Sequence, residues 1–161
     1  MQTTEDKTKL AIEYGLRLLG MRDYSRSKLK KKLISKEYES EVVEQALNRL
    51  EELKYLDDER YARYKIKSLI LRGTSKNQIM YKLKFEGITL DDSFISEVFD
   101  EQNTNESEQI DVLLEKKIRN KTIPDDRLER RKFNDKLLRY LISKGHDFDS
   151  SIKAINSIKS E

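Results

Sequence analysis

The chain has 161 residues, of which 39% are charged and 36% hydrophobic, with a formal net charge of +3 and no cysteine. This excludes a disulfide framework, a thiol nucleophile and a Cys-based zinc site. No apolar run approaches the roughly 20 residues of a membrane span, and the polar opening from Met1 to Asp6 does not read as a signal peptide. A soluble, cytoplasmic chain with a thin core is expected, its Leu, Ile, Val and Phe content standing above the roughly 20% that marks disorder. Five Gly and one Pro leave little material for turn-rich β architecture, whereas the abundant Lys, Glu, Leu and Ile favour helices.

Apolar stripes and cap residues predict the elements in order. A first helix covers Leu10 to Met21. Ser25 opens a second, striped by Leu29 and Leu33, and Ser40 a third, striped by Val42, Val43, Ala46, Leu47 and Leu50. Asp57 opens the fourth, whose apolar residues run from Tyr61 to Leu71 and which Gly73 closes. Thr74 or Ser75 starts the fifth, striped by Ile79 and Leu83. Asp91 starts the sixth, striped by Phe94, Ile95, Val98 and Phe99. The polar run from Gln102 to Ser107 reads as the most flexible joint, and Arg119 to Asp126 as a second loop. Between them Ile110 to Ile118 forms the seventh helix. Pro124 sits near the first turn of a long eighth, and Asp149 opens a ninth carrying Ile152, Ile155 and Ile158.

The segment from Ser25 to Tyr38 resembles those from Ser75 to Ile88 and from Phe133 to His146. In each, two apolar residues stand four apart on one helical face. Gly87 and Gly145 occupy the place where a helix stops in the left-handed conformation. Three helices therefore repeat three times, over 8–56, 57–102 and 107–159. Units too small to bury their own apolar faces do so by stacking, so the expected architecture is all-α: an elongated, curved array of about nine helices.

Charge runs in bands. From Arg26 to Lys36 there are six bases and no acid, and from Tyr61 to Phe85 seven bases and no acid. Eight acids and no base occupy Gly87 to Asp111. Such banding predicts one basic and one acidic face, the basic one suited to phosphate backbones without sequence readout. Its candidate contacts are Arg26, Lys28, Lys32, Arg60, Arg63, Lys67, Arg72, Lys76, Lys82, Arg130 and Arg131. Helical phase turns Tyr64 outward among these cations, placed to stack on a base or on a partner side chain. The competing reading is a set of solvated helix faces that keep a thin-cored chain soluble. His146 is the only histidine, and Asp57-Asp58 and Asp91-Asp92 stand where helices begin. Packing and capping account for all five residues, so no catalytic grouping, metal site or cofactor is expected.

The run from Leu18 to Leu33, the segment Leu56-Asp57-Asp58-Glu59-Arg60-Tyr61-Ala62, and Arg72-Gly73, Ile79, Leu83 and Gly87-Ile88 resemble RecX regulatory proteins. Arg131-Lys132-Phe133 with Leu137 to Gly145 is similar to that family's last repeat, and Glu37-Tyr38 departs from it where glycine is common. The resemblance implies a non-enzymatic, monomeric modulator of the RecA recombinase. It would lie along the RecA–DNA filament, restrain ATP hydrolysis, strand exchange and coprotease action in DNA repair and the SOS response, and bind single- and double-stranded DNA weakly. It transfers no contact residue, since the family motif is core and caps. Two alternatives remain: a plain DNA-binding module acting by competition for DNA, and a carboxylate–metal nuclease using Asp57 or Asp58.

Overall fold

The computed structural model describes residues 3–158, and among them nine α-helices follow one another without a strand. They are α1 (Thr4–Met21), α2 (Arg26–Ile34), α3 (Ser40–Glu52), α4 (Asp58–Leu71), α5 (Lys76–Phe85), α6 (Asp92–Glu101), α7 (Glu106–Ile118), α8 (Arg127–Ser143) and α9 (Phe148–Asn156). They form three triplets in chain order, the all-α repeat class expected. Lys159, the last residue of the expected third repeat, lies outside the described residues.

Side-chain caps set most boundaries. Ser25 accepts from the Lys28 amide, Ser75 from Gln78 and Asp57 from Arg60, as their positions predict. Elsewhere the boundaries move. Glu39 rather than Ser40 precedes α3. Asp147 rather than Asp149 caps α9, because its carboxylate is the one that reaches the Ser150 amide. Pro124 stands ahead of α8, which Asp126 opens by accepting from the Leu128 and Glu129 amides. Asn105 caps α7, so Glu106 and Ser107 belong to the helix and not to a joint. A Thr3–Asp6 capping box likewise starts α1 at Thr4, in polar sequence that carries no apolar stripe.

The chain divides into two compact units. One holds the described residues up to Lys65 together with Leu83–Thr89; the other holds Ile66–Lys82 and the described residues from Leu90 onward. In the first unit, Ala11, Leu29, Leu33, Val43, Ala46, Leu47 and Leu50 are completely buried. The axis of α1 lies close along α3 because Gly15 leaves room: a Cβ there would stand 2.7 Å from Leu50 Cδ1. In the second unit, Ile110, Leu113 and Leu114 of α7 pack on Leu137 and Leu141 of α8 and on Ile155 of α9.

Successive repeats meet at a helix end. The second helix of each triplet stops in the left-handed conformation, at Glu37 (φ 64°), Gly87 (φ 79°) and Gly145 (φ 89°). At Gly87 a Cβ would stand 2.8 Å from Ser27 Cβ, and at Gly145 2.5 Å from Gln78 Cβ. Both glycines are therefore required twice, by backbone conformation and by the close approach of a preceding helix N-terminus. Glu37 is exposed and meets only the first demand. The left-handed conformation costs a non-glycine residue roughly 1–2 kcal/mol, partly offset by the greater unfolded-state freedom of glycine. Glu37→Gly is thus expected to stabilise the protein by about 0.5–1 kcal/mol in denaturant unfolding; unchanged or lower stability would contradict this account.

Candidate interaction surface

The basic side chains nominated from sequence fall into two groups. Most are held inside the chain. Arg26 forms ion pairs with Glu44 and Glu51, both at 2.7 Å, and bonds Asn48. Lys76 pairs with Asp92 at 2.7 Å and donates to Ser96. Lys67 pairs with Glu101 at 2.9 Å. Arg60 donates to the Tyr55 carbonyl, Arg130 donates to the Ile158 carbonyl, and Arg63 is likewise engaged within the chain.

The bands therefore do not separate into one basic and one acidic face. The cations of α2 close onto the acids of α3, and the lysine that opens α5 closes onto α6. Arg26, Lys30, Lys67 and Lys76 thus meet acids within their own triplets, where Coulomb attraction between neighbouring helices holds them. The cations left facing solvent are fewer. Lys32 on α2, Arg72 at the end of α4 and Arg131 on α8 are exposed, and Lys82 on α5 is half-buried. None of these four has an ion pair or side-chain hydrogen bond among the described residues. Tyr64 faces outward as its helical phase predicts, 63% exposed.

Lys28 belongs to a different arrangement. Its Nζ donates to the Tyr61 hydroxyl at 2.9 Å and lies 3.0 Å from Glu86 Oε1, while that hydroxyl donates to Glu86 Oε2 at 2.8 Å. Lys65 completes the node at 2.9 Å from Glu86. The Glu86 side chain is only 16% exposed. Its burial pushes the carboxyl pKa up, yet hydrogen bonds from Lys65, Lys28 and Tyr61 outweigh this and leave it below the ordinary glutamate value. Burial draws Lys28 down, but bonding to Tyr61 and Glu86 prevails and raises it. A depressed carboxyl contributes stability that is present above its unfolded pKa and lost as pH falls through the folded one. Glu86→Gln is accordingly expected to cost about 1–3 kcal/mol at neutral pH, with the deficit shrinking as pH drops below about 4.5. Unfolding curves at pH 7 and pH 3.5 that show an equal deficit would rule this out.

Sequence reasoning missed Arg17 and Lys36. Their cations lie 5.1 and 5.7 Å from the Tyr14 ring centroid, beside a cavity of about 340 Å³ that Tyr38 also lines. The signal was present in the repeat alignment, in which Lys36 falls opposite Glu86 and Lys144.

Asp57 and Asp58 serve helix ends, whereas Asp91 precedes α6 without a side-chain cap bond. Asp57 Oδ1 accepts from the Arg60 amide, and Asp58 Oδ1 from the Arg26 amide at 2.6 Å. Asp92 pairs with Lys76. His146 is buried, with Nε2 2.9 Å from the Gly73 carbonyl; since that oxygen can only accept, Nε2 carries the proton. Among the described residues no group of three or more His, Asp or Glu is placed to hold a metal ion. Among the described residues no helix is long and apolar enough to cross a membrane.

Comparison with known proteins finds relatives of one kind. The model of the RecX first three-helix domain matches residues 11–50. The regulatory protein RecX of Chlorobaculum tepidum is 28% identical over 157 residues, covering 98% of this chain and 93% of that protein. The chain thus carries a RecX-type three-helix domain and is similar to RecX regulatory proteins along nearly its whole length. The RecX protein of Actinobacillus pleuropneumoniae is 40% identical over 78 residues, and the chain spans about half the length of that relative, 52%. The fold agrees as well: the crystal structure of RecX from Lactobacillus salivarius superposes with a TM-score of 0.72 at 21% identity, over 94% of this chain and 96% of that one. Both relatives are named as regulatory proteins. The segment that the domain model matches includes Leu29, Leu33, Leu47 and Leu50, all fully buried, so it spans much of the core of the first triplet.

Proposed function

We propose that this chain is a cytoplasmic, monomeric regulator that binds RecA–DNA filaments and restrains RecA's ATP hydrolysis, strand exchange and coprotease activity. Similarity to a RecX regulatory protein over nearly the whole chain carries this reading. The commitment of Asp57 and Asp58 to helix N-termini weighs against the nuclease alternative. Contact with nucleic acid falls to the unpaired cations Lys32, Arg72, Lys82 and Arg131, with Tyr64 as an outward aromatic. Paired residues such as Arg26, Lys67 and Lys76 would each have to break an ion pair before meeting a phosphate.

The test is RecA's DNA-dependent ATP hydrolysis, with this protein titrated well below the DNA concentration. Hydrolysis should fall in that range if filaments are the target. A fall that begins only when protein approaches DNA in amount would indicate competition for DNA instead. Direct binding to duplex DNA should weaken roughly a hundredfold between 50 and 200 mM salt for about four phosphate contacts. A salt-insensitive or sequence-selective complex would show a different mode of readout.

A further inference from the structure

The first and third helices of the last triplet do not close on one another as those of the first triplet do. In the first, Gly15 lets Leu50 approach α1 directly. The repeat alignment from Ser25 to Leu50 continues onto Phe133 to Ile158 without a gap, so Ile158 stands where Leu50 stands. Helix α7 carries no glycine, and Leu114 occupies its inward face opposite α9. Leu114 and Ile158 both line a cavity of about 900 Å³ between α7, the 119–126 loop and α9. A second cavity of about 340 Å³ adjoins it, with Asp111, Ala154 and Ser157 lining both, so the two lie along one groove of the α7–α9 face.

The groove has an apolar floor and an acidic rim. Leu114, Ile118, Ile123, Ala154 and Ile158 line the larger part. Around them stand Asp111, Glu115 and Asp125, with Glu106 and Asp147 at the narrower end, against only Lys121 and Lys153. Asp111, Glu115 and Asp125 have no ion pair or hydrogen bond from their side chains among the described residues. That sets them apart from the acids of α3 and α6 that hold Arg26 and Lys76. An unneutralised acidic rim repels nucleic acid and favours a cationic partner.

We propose that the α7–α9 groove is a docking site for a basic amphipathic helix of a partner protein. Apolar side chains spaced three and four apart would fill the floor, and flanking Lys or Arg would meet Asp111, Glu115 and Asp125. The site is separate from the cations assigned to DNA, and its test does not require that the partner be RecA.

The experiment uses the full-length, isotope-labelled protein and a 16-residue synthetic helix with leucines on one face bordered by lysines. Its twin carries glutamate at every lysine position. Amide shifts on adding the lysine peptide should centre on Leu114, Ala154 and Ser157, and the glutamate twin should bind at least tenfold more weakly. In the double variant Asp111→Lys/Glu115→Lys both substitutions lie on exposed positions of α7, so folding is expected to survive and is checked by circular dichroism. This variant should bind the lysine peptide at least fivefold more weakly. Should it unfold, the unmodified protein with the two peptides still decides the matter. Shifts centred elsewhere, equal binding of both peptides or no binding would overturn the proposal. Failure of the parent protein to restrain RecA would sink the proposed function and leave the peptide result standing.

Discussion

Truncating Leu33 or Leu83 to alanine is expected to lower the unfolding free energy by about 2–5 kcal/mol each. Both hold the second apolar position of the repeated second helix, at 0% and 1% exposure. Leu33 packs in a cluster with Leu29, Val43, Leu47 and Leu50. The Leu83 carbonyl also accepts the Ile88 amide, which closes the turn after Gly87. A cavity in either place removes contacts that the surrounding helices cannot easily recover, because each helix is short and anchored at both ends. Denaturant unfolding with an unchanged slope would assign the loss to the folded state. Leu53→Ala, at a position 41% exposed, is the matched control and should cost well under 1 kcal/mol. If both core variants unfold like the parent, the repeat register is wrong.

The largest functional effect is expected from Lys32→Glu combined with Lys82→Glu. These residues hold the same register position on α2 and α5, one before Leu33 and one before Leu83. Neither is tied into an ion pair, so reversal should not break the fold. Each reversal replaces attraction to phosphate with repulsion. Restraint of RecA's ATP hydrolysis should require at least tenfold more protein, about 1.4 kcal/mol in binding. The salt slope of DNA binding should shrink by about one unit per residue. Asp100→Lys on α6 serves as the control and should leave both readouts near parental. A folded double variant acting at parental concentrations would move the contact surface to Arg72 and Arg131.

The repeat was legible because its markers are local. Leu29 and Leu33, Ile79 and Leu83, and Leu137 and Leu141 stand four apart and are all buried. Gly87 and Gly145 mark helix ends that only a few residues determine. The outward turn of Tyr64 followed from helical phase alone. What the residues could not disclose was which cations would be neutralised. Arg26 meets Glu44 and Glu51, 18 and 25 positions away, and Lys28 meets Glu86 from another triplet. Such pairings depend on how one helix lies on the next, and a one-dimensional charge band carries no information about that. The cap corrections have a simpler origin. Asp147 and Asp149 are both good caps, and the choice between them rests on which carboxylate reaches the Ser150 amide.

The node at Glu86 also bears on how the chain avoids assembling itself wrongly. The three equivalent corners carry Lys36, Glu86 and Lys144, and each has much the same backbone shape. The helix N-termini that receive the later two carry different residues at the matching position of closest approach, Lys28 in α2 and Gln78 in α5. Glutamate is seated on the lysine, while the lysine-bearing corner comes against the neutral glutamine. Exchanging the corners would press Lys144 toward Lys28 and Lys65, leaving three cations together without an anion. A near-identical motif used more than once invites mispairing as the chain folds, and a penalty on the wrong pairing is one way to prevent it. One charge thus works as an address, sorting interchangeable shapes into a single order.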